Sequence, residues 1–173
     1  MISCRKADMS AQGDGEVMLS LFDEYSRDIM GGGEELSAYT KENLVTELCK
    51  RPTAHVFIAS SDSTPVGLAI CFEGFSTFAC KPLMNIQDLC VAPAHRRQGV
   101  CSTLIFYVEQ FALTIGCCKL TLEVLEGNHA AKAAYRSAGF EAYELDPESG
   151  TAEYWQKPLL ETDKHADKRL RGV

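Results

Sequence analysis

The 173-residue chain lacks any apolar run approaching a membrane helix. Its longest hydrophobic stretches, Ala54–Ala59 and Val66–Phe72, are strand-length, well short of the roughly 20 residues a span requires. The opening Met1-Ile-Ser-Cys-Arg-Lys lacks the apolar core of a secretory leader, so a cytoplasmic location and no membrane role are expected. No C-x-x-C pair is present, and none of His55, His95, His129 and His165 stands at ligand spacing from another, which argues against a metal site. Cationic excess is missing too: 17 Lys and Arg against 24 Asp and Glu leave a net charge of −7. That balance disfavours nucleic acid as a partner and suits a cationic amine. A G-x-G-x-x-G after an early strand is also missing, which removes the dinucleotide-binding fold.

Eight cysteines, Cys4, Cys49, Cys71, Cys80, Cys90, Cys101, Cys117 and Cys118, are scattered mostly through apolar strand and helix patterns. They read as small buried hydrophobes in a reducing compartment rather than as a disulfide framework. With 46% hydrophobic and 24% charged residues, a chain of this size can bury one proper core.

The most informative stretch runs from Asn85 to Leu104, where a strand enters a basic, glycine-bearing turn that opens a long helix. At a helix start the first backbone N–H groups have no partner and the dipole is positive, so such a junction is built to hold an anion. A pyrophosphate across Arg96, Arg97, Gln98, Gly99, Val100 and Cys101 would meet oriented donors and two guanidinium groups, with Gly99 allowing close approach. The hydroxyls of Ser102 or Thr103 could add bonds.

Arg96-Arg-Gln-Gly-Val-Cys101 resembles the acyl-CoA-binding motif of the GNAT N-acetyltransferase superfamily, written Gln/Arg-x-x-Gly-x-Gly/Ala. Val91-Ala-Pro-Ala-His-Arg96 matches the lead-in to that motif. Leu122 to Phe140 resembles the family's second cofactor segment, with Asn128, Ala131 and Tyr135 before Gly139-Phe140. Two segments in the right order and separation are a strong signal. Cys101 departs from the pattern, placing a thiol where the family keeps hydrogen or methyl. Phe75-Ser-Thr-Phe78 with Ile86-Gln-Asp-Leu89 resembles the polyamine and thialysine acetyltransferase branch, except that Gln87 stands where the branch has Glu.

The periodicities predict an α/β fold. A strand is expected at Ile2–Arg5, then a helix over Glu16–Met30 capped by Asp14, broken by Gly31-Gly-Gly33 read as a flexible connector that borders the acceptor side. A second helix is expected over Tyr39–Lys50, stopped by Pro52. Ala54–Ala59 and Val66–Glu73 read as a hairpin joined by Ser60–Pro65. In the next strand Met84 and Ile86 keep one parity and Leu89 and Val91 the other, the signature of a β-bulge near Gln87–Cys90. Val100 to Ile115 is helical and closed by Gly116, Cys118–Val124 is a strand, and Asn128 caps a further helix. Phe140–Leu145 and Thr151–Lys157 read as a closing hairpin through Asp146–Gly150, and Glu161–Val173 as a frayed tail. The expectation is therefore a single GNAT-like domain over residues 1–160. Its mixed central sheet has six to seven strands, bulged and splayed in the centre, with helices on both faces.

The resemblance implies an acetyl-CoA-dependent N-acetyltransferase, with the acetyl group passing to a primary amine of a small molecule by direct attack and no metal involved. A non-catalytic acyl-CoA-binding domain, acetylation of a protein or peptide amine, and a homodimer stay open. The cofactor would run along Leu89, Cys90 and Val91 of the bulged strand, where the backbone N–H of Cys90 or a neighbour would meet the thioester carbonyl. Tyr135 would protonate the leaving thiolate. Gln87 cannot accept a proton, so the base would be Glu73, Asp88, Glu123 or a chain of waters. A Cys-acyl route through Cys90 or Cys101 is disfavoured, since neither has an evident base partner.

Overall fold

The computed structural model describes residues 1–11, 13–146, 148, 150–157 and 159. The tail read over Glu161–Val173 lies outside these residues, as do Pro147 and Ser149 of the expected last turn. The chain falls into two compact units, Met1–Glu123 and a second from Val124 onward. Among the described residues no helix is long and apolar enough to cross a membrane.

The first unit is a five-stranded sheet in the order β1 to β5, with strands Ile2–Lys6 (β1), Ala54–Ser61 (β2), Thr64–Ser76 (β3), Lys81–Val91 (β4) and Leu120–Leu122 (β5). The first four are antiparallel in sequence order, and β5 joins β4 in parallel. A parallel partner needs a crossover, which helix Val100–Thr114 (α3) supplies. The β2–β3 turn is tighter than expected. Ser61 pairs with Thr64, and Asp62 and Ser63 take φ of 46° and 71°, positive at both central residues as a two-residue primed turn requires.

Helices Asp14–Ser26 (α1) and Ala38–Cys49 (α2) supply one side of the core, where Met18, Leu21 and Leu48 cluster with Val56, Ile58, Leu68, Ile70 and Cys90 of the sheet. The opposite face carries α3: an added Cβ at Gly67 would stand 2.7 Å from Val100 and 3.0 Å from Leu104. Phe57 meets the rings of Tyr107 and Phe111 on that side, at centroid distances of 5.8 and 5.4 Å. Gly67 is thus kept small by the close approach of a helix.

Three expectations are corrected. The sheet has five strands, not six or seven, because the expected closing hairpin contributes one bridge, Glu144 to Thr151, among its described residues. Tyr143, Tyr154 and Trp155 are exposed along it, and a two-stranded ribbon without a buried face is marginal. Asp14 does not cap α1. Gly13 holds the cap position, and the Asp14 carboxylate instead receives two bonds from Arg5, at 2.6 and 2.7 Å, and one from the Asp8 N–H. Helix α1 also stops at Ser26, short of Met30.

The glycine run is a hydrogen-bonded turn rather than a loose connector. Asp28 opens a short 3-10 turn over Ile29–Gly31, its side chain accepting from the Met30 N–H and its carbonyl accepting from Gly31 and Gly33. Gly31 is buried, and a Cβ there would lie 2.0 Å from the Tyr25 carbonyl oxygen, so only glycine fits.

The Arg5 pair lowers the Asp14 carboxyl from its usual range to about 2. A folded-state pKa below the unfolded one contributes stability that is present above the unfolded value and lost as pH falls toward 2. In urea titrations Asp14→Asn is expected to be less stable than wild type at neutral pH, with the gap closing between pH 4 and 2. A gap independent of pH would show that the pair contributes nothing to folding.

Candidate active site

Helix α3 begins bare. Its cap position is Gly99, in the left-handed region at φ 86°, and no side chain caps it. The Thr103 N–H is the first to return to the helix, at 3.0 Å from the Gly99 carbonyl, so the N–H groups of Gly99, Val100, Cys101 and Ser102 have no intrahelical acceptor. Arg97 is left-handed too, at φ 60°, so two left-handed residues flank Gln98, and backbone turns of this kind can gather amides around an anion. The Gln98 amide donates to the Ala94 carbonyl at 3.0 Å and braces the turn. Space above Gly99 is open, with nothing within 4 Å of an added Cβ. These features fit a pyrophosphate. The Thr103 hydroxyl donates back to the Gly99 carbonyl, which leaves the exposed Ser102 as the outward hydroxyl. Cys101 is half-buried, and burial raises its thiol pKa.

The bulge lies where parity placed it. Ile70 pairs with Asp88 and Cys71 with Ile86, so Gln87 is the extra residue of β4. The slip brings Met84, Ile86, Leu89 and Val91 onto the α3 face and turns Asp88 and Cys90 toward α1. Pairing with β5 ends at Ile86 and Leu122, immediately before the bulge. The expected strand Cys118–Val124 is thus paired over only three residues, a fork in the ladder past which β4 is not paired with β5 from Gln87 on. Side chains brace its apex: Thr121 donates to Asn85 at 2.9 Å, and Asn85 donates to Gln87 at 3.3 Å.

Backbone direction at the fork follows from the ladder. The Ala92 N–H donates to the Val66 carbonyl at 2.8 Å. Antiparallel pairs alternate, so the amide of Cys90, opposite Leu68, also faces β3, whereas Leu89 and Val91 point theirs to the open side. These two N–H groups are the donors available inside the fork.

The carboxylates are spread over different surroundings. Asp88 adjoins Leu89, on the α1 face. Glu73 pairs with Met84 on the closed side of the bulge, and its carboxylate meets Nε2 of the buried His55 at 2.5 Å. His55 stacks edge-on against Phe111, with centroids 4.8 Å apart. Glu123 directly follows β5, and desolvation raises its pKa. The Cys90 thiol is buried, with Sγ near the Leu21 carbonyl, and burial pushes it up to about 12, assisted by the Asp88 charge. Such a thiol is inert as a nucleophile.

Arg96 is committed elsewhere in the first unit. Its Nη2 meets the Asp28 carboxylate at 2.7 Å, and its Nε donates to the Val91 carbonyl at 3.2 Å. Sequence reading missed this pairing, since no local pattern joins residues 68 positions apart. His55, Asn85 and Thr121 were missed for the same reason.

The second unit holds helix His129–Ser137 (α4). Asn128 caps it as expected, its side-chain oxygen accepting from the Ala131 N–H at 3.1 Å. The Tyr135 ring lies 6.0 Å from that of Phe140, and Gly139, at φ 87°, turns the chain so that the Phe140 N–H returns to the Tyr135 carbonyl.

The bare helix start follows the bulged strand directly in the first unit, and comparison with known proteins gives the class. The model of the acetyltransferase (GNAT) family matches residues 18–140, and this chain belongs to that family. It is 31% identical over 96 residues to thialysine N-epsilon-acetyltransferase from Bos taurus, covering 51% of this chain and 56% of that protein. It is 30% identical over 90 residues to aminoglycoside N(6')-acetyltransferase type 1 from Acinetobacter haemolyticus, covering 50% and 62%. The chain therefore spans less than two thirds of either relative. An aminoglycoside acetyltransferase from an uncultured soil metagenomic sample, solved with sisomicin, shares the fold with a TM-score of 0.72 at 20% identity. That alignment covers 90% of this chain and 95% of the other.

Proposed function

We propose that this chain is an acetyl-CoA-dependent N-acetyltransferase that acetylates a primary amine of a small molecule by direct attack. The observation that carries the reading is the fork, whose open side presents the Leu89 and Val91 N–H groups in the same unit as the bare start of α3. Membership of the GNAT family and the amine acceptors named for two relatives support it.

In this reading the N–H groups of Gly99 to Ser102, with the exposed Arg97, hold the pyrophosphate. Acetyl-CoA supplies the activated acyl group as a thioester. The Leu89 or Val91 amide hydrogen-bonds the carbonyl oxygen, replacing Cys90 as the donor since its amide serves the ladder. Asp88, one residue from Leu89 and turned toward α1, takes the proton from the amine. Glu73, whose carboxylate meets His55, lies on the other face, away from Asp88. The resemblance assigns the proton for the departing thiolate to Tyr135.

The test is incubation with acetyl-CoA and a panel of amines, including lysine-like, polyamine and aminoglycoside compounds, followed by detection of free thiol. Amine-dependent thiol release is expected with a small-molecule acceptor. Tight binding of acetyl-CoA without release from any amine would make the chain a non-catalytic binding module. Release with peptide amines alone would move the acceptor class to proteins.

A further inference from the structure

Arg96 occupies the first position of the acyl-CoA motif, yet its half-exposed guanidinium is turned to partners within the protein. One edge reaches the Val91 carbonyl at the end of β4, and the other reaches Asp28 at 2.7 Å. Asp28 is the hub of the turn after α1. One carboxylate oxygen accepts from the Met30 N–H and the other from Arg96, while its carbonyl accepts from Gly31 and Gly33. The Tyr25 hydroxyl closes the turn onto the Met30 carbonyl at 3.2 Å. The other end of the segment is tied as well: Asp23 and Glu35 share Arg27 and Lys41, and Asp23 accepts from the Leu36 N–H. The 28–33 turn is therefore hydrogen-bonded within itself, and Arg96 ties it to the end of β4.

We propose that Arg96 is a positioning residue that latches the turn after α1 onto the mouth of the β4–β5 fork, and so sets the acceptor side of the site rather than gripping phosphate. The Val91 carbonyl it binds belongs to a residue whose N–H faces the open fork. Asp88 and Cys90, which flank Leu89, face the α1 side from which the turn departs. An amine reaching Leu89 from that side passes the rim that Asp28 and Arg96 hold. The charge argument agrees: with Asp28 against it, the Arg96 guanidinium is neutralised and adds little to an anion site. Arg97, exposed and left-handed, is the cation free to face phosphate.

This inference rests on the acetyltransferase reading for its catalytic consequence but not for its structural one, and the experiment separates the two. Arg96→Gln keeps polarity and the Asp28 cap but removes the ion pair, and Asp28→Asn keeps an acceptor for Met30 while removing the charge. Hydrogen exchange on the ligand-free protein is read at the Met30, Gly31 and Gly33 amides. Both variants are expected to exchange there about 2- to 5-fold faster than wild type, the upper part of the range in which a half-exposed pair acts, with α3 unchanged. With acetyl-CoA and the best amine, both variants should raise the amine KM about 2- to 5-fold while kcat and the acetyl-CoA Kd stay at the wild-type value, the pattern of lost acceptor binding. The double variant should be no worse than either single one. Wild-type exchange rates in Arg96→Gln overturn the latch, whatever the enzyme assay shows. A weakened acetyl-CoA Kd in Arg96→Gln that Asp28→Asn does not share overturns it in favour of a phosphate ligand. Faster exchange in a protein that never binds acetyl-CoA upholds the latch and removes the acetyltransferase reading instead.

Discussion

Gly99→Val is expected to abolish measurable acetyl-CoA binding, weakening it at least about 100-fold, while the protein still folds. The reason is conformational rather than steric. Nothing lies within 4 Å of a Cβ at this position, but the backbone stands at φ 86°, where a residue with a side chain costs about 1–2 kcal/mol and a β-branched one more. The chain relieves that cost by rotating out of the left-handed region, and the rotation swings the amides of Val100 and Cys101 away from the common point they now face. Several hydrogen bonds to one anion are then lost together. Gly99→Ala strains the backbone less and should fall between valine and wild type. Calorimetric titration with acetyl-CoA, with melting temperatures alongside, decides the matter. Wild-type affinity in Gly99→Val would show that the pyrophosphate does not sit on this turn.

Much of this site is written in short-range pattern. The bulge was readable because Met84 and Ile86 keep one parity and Leu89 and Val91 the other, and a sheet face tolerates such a slip only through an extra residue. The start of α3 was readable because a glycine after basic residues and before helical periodicity has few other uses. Features set by distant partners were not readable. Asp14 looks like a cap in sequence, but Arg5 and the Asp8 amide claim its carboxylate once β1 lies beside α1. The glycine run after α1 looks loose because glycine has no side chain to show what it packs against, and its order comes from Asp28. Glu73 was an open candidate for the base until folding placed it against His55, 18 residues away. The last two strands failed for a different reason. Alternation in a short, tyrosine-rich ribbon records a tendency to extend, whereas a strand also needs a neighbour and a buried face.

Thiol chemistry narrows the route by which acetyl could move. Burial lifts the Cys90 thiol to about 12 and also raises that of Cys101, the two cysteines nearest the fork and the helix start. A thiolate at either position would need a nearby cation or base to form at neutral pH. Arg96, whose charge reaches Cys90, is already held by Asp28 and the Val91 carbonyl. Direct attack by the amine, with the oxyanion held by a backbone amide, asks less of these residues than a covalent acyl-cysteine would.

Tyr135→Phe is expected to lower kcat by about 10- to 1000-fold, with the acetyl-CoA Kd unchanged, as loss of a general acid requires. Phenol and thiol have reference pKa values about 1.5 units apart, so the hydroxyl can pass its proton to a departing thiolate without strong tuning. Phenylalanine keeps the ring, which lies 6.0 Å from Phe140, and leaves unaltered the Asn128 cap and the Gly139 turn that hold α4. The substitution therefore removes the hydroxyl while keeping the ring. Tyr135→Ala serves as the packing control. It should lower the melting temperature as well as the rate, and lower it further than the phenylalanine variant does. If turnover with the best amine is the same in Tyr135→Phe as in wild type, the hydroxyl plays no part in the reaction. The role of Tyr135 would then be structural, and the thiolate would have to leave unprotonated or take its proton from water.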